Sequence, residues 1–286
     1  MAVVVNIDGE LHPPETARVS VFDHGFLYGD SVYETLRTYR GRLFLLTAHL
    51  ERLRRSAARI GLELPWTTAE LCAEVERTVA AADNPETAVR LTVTRGEGPI
   101  GTDPRLCRRP CRIILARPLP EIPAELYRDG VPAIVSRTLR NSPHALDPAI
   151  KSGNFLNNIQ AIREAHGRGA YEALMLDDAG NVVEGTQSNV FLVTSGEVAT
   201  PGSGLLRGLT RETVIELGRA AGIAVAERDV FVTELFEADE LFLTSSLKGV
   251  LPVTTVNGRP IGSGKPGAVT RRLGELYAER TLAPPA

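Results

Sequence analysis

The order of strand-like and helical segments is irregular along this chain, and it limits the folds that the chain can adopt. Short apolar runs bounded by turn residues are typical of strands, and they occur in both halves. The regular βαβα order of a doubly wound sheet is missing, so the sequence predicts an α+β architecture. The runs predicted as strands are residues 3–7, 32–39, 42–46, 88–94, 111–116, 131–136, 173–183 (with a turn at 178–181), 189–194, 241–244 and 251–256.

Helical periodicity is predicted in four places. Thr47 is positioned to cap one helix, and Thr67 with Glu70 forms a capping box for the next. A third helix is expected after Lys151, and Thr210 opens a fourth.

Prolines mark the boundary between two predicted domains. Pro118, Pro120 and Pro123 fall in a stretch that breaks regular structure and suits a linker. A chain of 286 residues with 43% hydrophobic content is longer than most single domains. We therefore expect a smaller N-terminal domain at 1–118, a linker at 119–126 and a larger C-terminal domain at 127–286.

The charge and composition favour a small-molecule partner. With 32 basic and 35 acidic residues the formal net charge is -3, which gives no global attraction to nucleic acid or to an acidic membrane. No basic leader and no run of 18 apolar residues occurs, so we expect a cytoplasmic protein. Cys72, Cys107 and Cys111 lack the second ligand pair of a structural zinc site, and no metal is predicted.

One apparent nucleotide-binding pattern is set aside. Residues 96–101 read GEGPIG and match G-x-G-x-x-G after a predicted strand. Pro104 and Pro110 follow, however, and leave no helix to receive a pyrophosphate. A glycine-rich hairpin loop is the better interpretation.

Lysine is scarce in this chain, and that narrows the search for an amine nucleophile. The only lysines are Lys151, Lys248 and Lys265. Schiff-base chemistry requires a lysine because an arginine guanidinium stays protonated. Lys151 follows an apolar isoleucine and precedes two small residues that would leave room for a ligand. Lys265 lies between glycine and proline and is predicted to be a surface-loop residue.

A second candidate is Glu184, which lies 33 positions after Lys151 at the end of an apolar run. An isolated carboxylate in that position suits a role in a buried site. A salt bridge to a surface arginine is the structural alternative.

These segments together resemble the class IV, or fold-type IV, aminotransferases that use pyridoxal 5'-phosphate (PLP), the group of branched-chain and D-amino acid aminotransferases and aminodeoxychorismate lyase. The resemblance covers nearly the whole chain. The motifs that carry it are FDHGFLYGDSVYE at 22–34, HLERL at 49–53, Lys151, EGTQSN at 184–189, GLTR at 208–211 and TSS at 244–246.

The resemblance implies the fold and the cofactor site. The fold would be a smaller N-terminal α/β sandwich followed by a larger C-terminal pseudo-barrel. Lys151 would be the catalytic residue: it would form the Schiff base with PLP and move a proton between the substrate's α-carbon and the cofactor's imine carbon. Glu184 would keep the pyridine nitrogen protonated. The residues expected to bind the cofactor are Arg52, Lys151, Glu184, Asn189, Leu209, Thr210 and Ser246.

The substrate-binding residues implied by the resemblance are Tyr33, Arg90, Leu247 and Lys248. Arg90 matches the arginine of the Tyr-Val-Arg pattern of branched-chain enzymes, but Ala88 replaces its tyrosine. The Arg-x-His pair of bacterial D-amino acid enzymes is absent from 99–102. The sequence therefore favours hydrophobic or branched-chain amino acids, and it leaves D-amino acids and amines open. For Lys248, a substrate carboxylate and bulk solvent are equally acceptable partners.

The reaction predicted is a ping-pong transamination between an α-amino acid and a 2-oxo acid. The alternatives are an aminodeoxychorismate lyase that releases pyruvate, and a binding module that keeps the fold without the chemistry. The family also implies a homodimer, with 28–30 and nearby loops directed toward the partner subunit's pocket.

Overall fold

The computed structural model describes residues 2–283, which form two compact units. The first comprises residues 2–120 and 150–154, and the second comprises 121–149 and 155–283. The first division falls between residues 120 and 121, and residues 150–154, which were expected in the larger C-terminal domain, lie in the first unit. They belong to the first unit because their backbone is hydrogen-bonded to a strand there, as in the antiparallel bridge between Val32 and Ser152.

The first unit contains an antiparallel six-stranded sheet, with the strand order β2-β1-β6-β5-β3-β4. Two of its helices, α2 and α3, pack together and enclose a core of leucine and valine side chains against the sheet. The elements of the first unit are β1 (Val4–Ile7), β2 (Glu10–His12), α1 (His24–Tyr28), β3 (Ser31–Tyr39), β4 (Arg42–Leu43), α2 (Leu46–Arg59), α3 (Thr68–Ala82), β5 (Thr87–Thr94) and β6 (Cys111–Pro118).

The starts of α2 and α3 show one correct and one wrong capping prediction. Thr67 caps α3 and forms the predicted box with Glu70. Thr47, in contrast, is not a cap, because α2 begins at Leu46 with Leu45 in the left-handed conformation and with no side-chain cap. The side chain of Leu46 is buried in the core, which accounts for a helix start before Thr47 rather than after it.

The glycine-rich segment 96–101 lies in the loop between the antiparallel strands β5 and β6, whose last pair is Thr94 with Cys111. The interpretation as a hairpin loop is therefore confirmed. Gly96 has φ +93°, and a Cβ there would lie 1.8 Å from the carbonyl oxygen of Arg109. Loop closure thus accounts for this glycine without any nucleotide.

The second unit contains a mixed nine-stranded sheet, with the order β12-β11-β10-β13-β14-β7-β8-β9 and β15 beside β14. The pairs β7 with β8, β7 with β14 and β11 with β12 are parallel. Helix α6 packs against β13 and α7, and α5 packs against β8. The elements of the second unit are α4 (Ala124–Asp129), β7 (Val131–Val135), α5 (Leu156–Gly167), β8 (Glu172–Leu176), β9 (Val182–Gly185), β10 (Asn189–Thr194), β11 (Glu197–Pro201), α6 (Leu209–Ala220), β12 (Val225–Arg228), β13 (Glu240–Ser245), β14 (Gly249–Val256), β15 (Arg259–Pro260) and α7 (Ala268–Leu282).

Helices and strands mix in both units without a repeated βαβ order, so the α+β prediction is confirmed. Over residues 2–283, none of the helices combines the length and the apolar character that a membrane crossing needs.

Candidate active site

Lys151 lies in a segment that runs beside β3 in the first unit. Its amide donates to Ser56 Oγ at 3.2 Å, and its carbonyl accepts from the amide of Tyr33 at 3.0 Å. Gly153 donates to the carbonyl of Ser31 at 2.8 Å, and a Cβ on Gly153 would lie 2.2 Å from Ser31 Oγ. The close approach to β3 accounts for this glycine, where the sequence suggested room for a ligand.

The side chain of Lys151 contacts Tyr33, which is 4% exposed. Lys151 Nζ donates to the Tyr33 hydroxyl at 3.4 Å and lies 4.5 Å from the ring centroid. Arg90 Cζ lies 3.8 Å from the same centroid. Tyr33 and Arg90 are diagonal neighbours on β3 and β5, because Arg90 pairs with Thr35. The first unit therefore brings two predicted site residues, Lys151 and Arg90, onto the ring of a third, Tyr33. The face of an aromatic ring attracts cations electrostatically.

A buried charged cluster lies on the α2 side of β3. Glu34 shares the core-facing side of β3 with Val32 and Leu36, and its side chain is fully buried. Arg52 donates to both oxygens of Glu34 through Nε and Nη2, at 2.8 and 2.7 Å. His49 precedes Arg52 by three residues on the same helix face, and its Nδ1 lies 2.7 Å from Glu34 Oε2.

The cluster changes two pKa values. Burial raises the pKa of Glu34, but the charges and hydrogen bonds of Arg52 and His49 outweigh burial and lower the pKa to about 2. Burial lowers the pKa of His49, and the nearby charges of Arg52 and Lys151 lower it further against the opposing effect of Glu34. At neutral pH the cluster therefore contains a carboxylate, a guanidinium and a neutral imidazole that donates from Nδ1.

The geometry of Arg52 differs from the sequence-based expectation in one respect. The resemblance implies that its guanidinium fork binds a phosphate, whereas the edge formed by Nε and Nη2 binds Glu34. Because a bidentate carboxylate pair fixes the plane of the guanidinium, Glu34 determines where Arg52 can direct Nη1.

In the second unit, Glu184 lies on β9 and is 6% exposed. Its Oε1 accepts from Arg140 Nε at 2.7 Å, and its Oε2 accepts from the amide of Leu206 at 3.2 Å. Asn189, the first residue of β10, donates through Nδ2 to the carbonyl of Leu206 at 2.8 Å. Glu184 thus has the salt bridge that was the structural alternative, but the pair is buried rather than exposed.

The start of α6 is open in a way that suits an anion. Gly208 is the N-cap and makes no side-chain cap, and Leu209 and Thr210 form the first turn. Unpaired amides at a helix start attract phosphate. Thr210 is not the cap that its sequence position suggested, because it lies inside the helix with its Oγ1 3.5 Å from the Tyr277 hydroxyl.

The turn between β13 and β14 contains Ser246, Leu247 and Lys248, all half-buried. Lys248 Nζ lies 4.7 Å from the ring centroid of Tyr171, and the Lys248 carbonyl accepts from the Tyr127 hydroxyl at 2.8 Å. Lys248 therefore extends over an aromatic ring of its own unit.

Three residues that contact predicted site residues within their own units were missed by the sequence analysis. His49 and Glu34 were quoted only as parts of motifs, although a charge between Val32 and Leu36 on the core face of a strand was a usable signal. Arg140 follows β7 in an irregular segment, and nothing in its spacing points to Glu184.

The chain matches known proteins over nearly its full length. Residues 31–256 match the family Amino-transferase class IV. A relative from Methanocaldococcus jannaschii is 39% identical over 277 residues, which cover 96% of this chain and 95% of the relative. The D-alanine aminotransferase of Bacillus licheniformis is 35% identical and covers 94% of each chain. The crystal structure of the T.th. branched-chain amino acid aminotransferase with pyridoxamine 5'-phosphate superposes with a TM-score of 0.94 at 31% identity, covering 98% of this chain and 94% of that one.

The chain belongs to the class IV aminotransferases. It is a PLP-dependent transaminase with the fold-type IV architecture that the sequence predicted. Its residues fit the cofactor: the chain supplies a lysine amine, a buried carboxylate and a helix start without a side-chain cap. Thr244 pairs with Asn189 across β13 and β10. Its buried Oγ1 has no hydrogen-bond partner within residues 2–283. This is expected for an atom that a ligand satisfies.

The charged cluster predicts loss of stability in acid. The folded-state pKa of Glu34 is about 2, below the ordinary value of 4.5, so its contribution is complete above pH 4.5 and is lost as the pH falls toward 2. The lowered pKa of His49 acts in the same direction below pH 6.5. The free energy of unfolding, measured with urea, should decrease between pH 7 and pH 3. The decrease is part of the Glu34 contribution, which is roughly 3 kcal/mol.

The variant Glu34→Gln isolates this contribution. It should be less stable at pH 7, because it leaves the Arg52 guanidinium buried without its carboxylate. It should also lose less stability than the wild type between pH 5 and pH 3, since the titrating group is gone. An acid slope in the variant as steep as in the wild type would contradict the assignment to Glu34.

Proposed function

We propose that this chain transfers the amino group of a hydrophobic or branched-chain α-amino acid to a 2-oxo acid by a ping-pong mechanism. The observation that carries the proposal is the grouping of Lys151 and Arg90 on the ring of Tyr33. An amine and a carboxylate-binding guanidinium beside one buried ring are the two groups that an α-amino acid needs at its reacting carbon.

Lys151 is the catalytic residue in this proposal. PLP, when bound, withdraws electrons from the bonds of the substrate's α-carbon. Lys151 Nζ takes the proton from that carbon and would deliver it to the cofactor carbon that keeps the amino nitrogen, and the second half-reaction would run this transfer in reverse on the 2-oxo acid. The Tyr33 hydroxyl orients Nζ by accepting its hydrogen bond. The first unit also places the guanidinium of Arg90 on the same ring.

The second unit and α2 supply the proposed cofactor contacts. Glu184 would hold a proton on the ring nitrogen of the cofactor, and the ion pair with Arg140 orients the Glu184 carboxylate. Asn189 fixes Leu206, whose amide orients Glu184. In the second unit, the groups proposed to bind the phosphate are the amides of Leu209 and Thr210 and the hydroxyl of Ser246. In the first unit, Arg52 is the residue to which the resemblance assigns a phosphate contact.

The preference for hydrophobic substrates rests on Arg90 and on the solved relative. The T.th. structure is named a branched-chain amino acid aminotransferase. Arg90 matches the arginine of the Tyr-Val-Arg pattern of branched-chain enzymes. A D-amino acid substrate is the second candidate, because the B. licheniformis relative is named a D-alanine aminotransferase. Leu247 and Lys248 are proposed to line the substrate side, with Lys248 available to a carboxylate.

A substrate panel tests this proposal. The PLP-loaded protein should convert its cofactor to the amine form with L-leucine, L-isoleucine or L-valine faster than with D-alanine or a simple amine. Lys151→Ala should slow this conversion by at least about a thousandfold, since it removes the proton-transfer group. Lys265→Ala is the matched control, because Lys265 is exposed, and it should keep the wild-type rate.

Three outcomes of the panel would contradict the assignment. A preference for D-alanine would move the enzyme to the second candidate. Release of pyruvate from aminodeoxychorismate without any amino acceptor would make it a lyase. Lack of conversion with every amino compound would support a binding module.

We propose further that two copies of the chain associate through the surface formed by α1 and the 96–101 loop. Phe22, Phe26 and Ile100 are 53%, 70% and 75% exposed. The two segments are joined by hydrogen bonds from the amide of Gly101 to the Tyr28 hydroxyl and from the amide of Gly98 to the carbonyl of Phe22. Large apolar side chains exposed on two joined segments favour a protein interface.

Light scattering after size exclusion tests this association. The wild type should have the mass of a homodimer, and Phe26→Glu should shift it toward the monomer by placing a charge in the apolar surface. Phe231→Glu is the control, because Phe231 is exposed to a similar extent but belongs to the second unit. A dimer that survives Phe26→Glu would contradict the proposed interface.

A further inference from the structure

Glu172 is a buried carboxylate whose four hydrogen-bond donors are uncharged. It is the first residue of β8 and is 2% exposed. Its Oε1 accepts from the Thr186 amide at 3.1 Å, from Thr186 Oγ1 at 2.5 Å and from the Ala173 amide at 3.0 Å. Its Oε2 accepts from Ser188 Oγ at 3.0 Å.

Three of these four donors belong to the turn at 186–188, which connects β9 to β10. The turn is closed by the amide of Gly185, which donates to the carbonyl of Ser188 at 2.7 Å. Asn158 Nδ2 donates to the Thr186 carbonyl at 2.7 Å. A Cβ on Gly185 would lie 2.3 Å from Ser188 Oγ and 3.2 Å from Glu172 Cδ. The turn and the carboxylate are therefore in close contact, with no space for another side chain.

Two proposed cofactor residues flank this turn directly. Glu184 precedes Gly185, and Asn189 follows Ser188. Both are linked to Leu206, because its amide donates to Glu184 Oε2 and its carbonyl accepts from Asn189 Nδ2. A shift of the turn would move both side chains together.

A buried charge is a poor choice for stability alone. Desolvation of a carboxylate costs several kcal/mol, and apolar packing of similar volume is often at least as stabilising. Charge-assisted hydrogen bonds, in contrast, are short and directional, so they restrict a turn more tightly than neutral ones. The position of Glu172 thus suits the precise placement of its neighbours.

We propose that Glu172 is a positioning residue of this transaminase. Its carboxylate holds the 186–188 turn so that Glu184 and Asn189 keep the orientation that PLP requires. This inference rests on the proposed role of Glu184. Glu172 acts through that turn and touches neither substrate nor cofactor in the proposal.

Variants that differ in hydrogen bonding separate this role from a structural one. Glu172→Met keeps the volume but leaves the two Thr186 donors and the Ser188 hydroxyl without an acceptor. Glu172→Gln can still accept from Thr186 and can donate to Ser188 Oγ. Glu164→Met and Glu164→Gln are matched controls, because Glu164 Oε2 also accepts from a serine hydroxyl and a backbone amide, of Ser136 and Arg137.

The first measurement uses the protein without cofactor. Hydrogen exchange of the amides in 183–189 should become at least about tenfold faster in Glu172→Met than in the wild type. It should be accelerated less in Glu172→Gln, which keeps hydrogen bonds but not the charge. The Glu164 variants should leave this segment unchanged. Unchanged exchange in Glu172→Met would overturn the proposed contact with the turn, whatever the activity of the enzyme.

The second measurement is a double-mutant cycle on the PLP-loaded enzyme. Glu172→Met should slow the half-reaction with a good amino acid by at least about tenfold, with a smaller change in substrate affinity. In the Glu184→Gln background the same substitution should add less than about threefold, since Glu172 acts through Glu184. Glu172→Gln should lose less than Glu172→Met, because it keeps hydrogen bonds to the turn without the charge.

Two results would overturn the proposal. One is an equal loss from Glu172→Met in both backgrounds, which would make Glu172 independent of Glu184. The other is an equal loss from Glu172→Gln and Glu172→Met. If Glu172→Met does not fold, Ser188→Ala removes one donor and should follow the same cycle with a smaller loss. A wild type that converts no amino acid would refute the proposed function instead, and the exchange result would stand separately.

Discussion

The structure of the candidate site depends on the backbone pairing between β3 and the segment 150–154. Hydrogen bonds from Tyr33 to the Lys151 carbonyl and from Gly153 to the Ser31 carbonyl attach that segment to the first unit. Without them Lys151 would lie in an irregular connection between two elements of the second unit. The pairing instead gives the lysine a defined register beside a buried tyrosine, which a catalytic amine requires because misplacement of about 1 Å can cost a hundredfold in rate.

Two buried glutamates stabilise their surroundings by different means. Glu34 is neutralised by Arg52 and accepts from His49, so its charge is balanced and its pKa is held low. Glu172 has only uncharged donors and depends on the number and geometry of its hydrogen bonds. The first arrangement fixes the Arg52 guanidinium midway along α2. The second fixes a turn between two strands. In both cases the carboxylate contacts a residue that belongs to, or lies next to, the proposed cofactor contacts.

Local sequence signals predicted the elements with strong patterns and missed those without them. The capping box of α3 and the strand at Asn189–Thr194 agree with the sequence because each has a local signature. Strand β12 was missed because three of its four residues are exposed and show no apolar alternation. Helix α7 was missed because only four of its fifteen residues are buried and Gly274 interrupts its apolar pattern. The Lys151 segment shows a different limit, since its assignment to the first unit depends on long-range pairing with β3.

The same distinction applies to the site. Lys151 and Glu184 could be proposed from motifs and from the scarcity of lysine. The residues that contact Glu184 and its turn could not be proposed from motifs. Arg140 contacts Glu184 from an irregular segment, and Glu172 contacts the turn because β8 pairs with β9. Arg52 was assigned from its motif, yet its bidentate contact with Glu34 appears only when α2 packs on β3. Side chains that act through another residue leave little trace in one sequence.

The central claim is that Lys151, and no other lysine, forms the bond to PLP. Borohydride reduction of the PLP-loaded protein followed by peptide mapping tests it directly, because the chain has only three lysines to distinguish. The account predicts a pyridoxyl group on the peptide containing Lys151 alone. A pyridoxyl group on Lys248 or Lys265, with Lys151 unmodified, would contradict it.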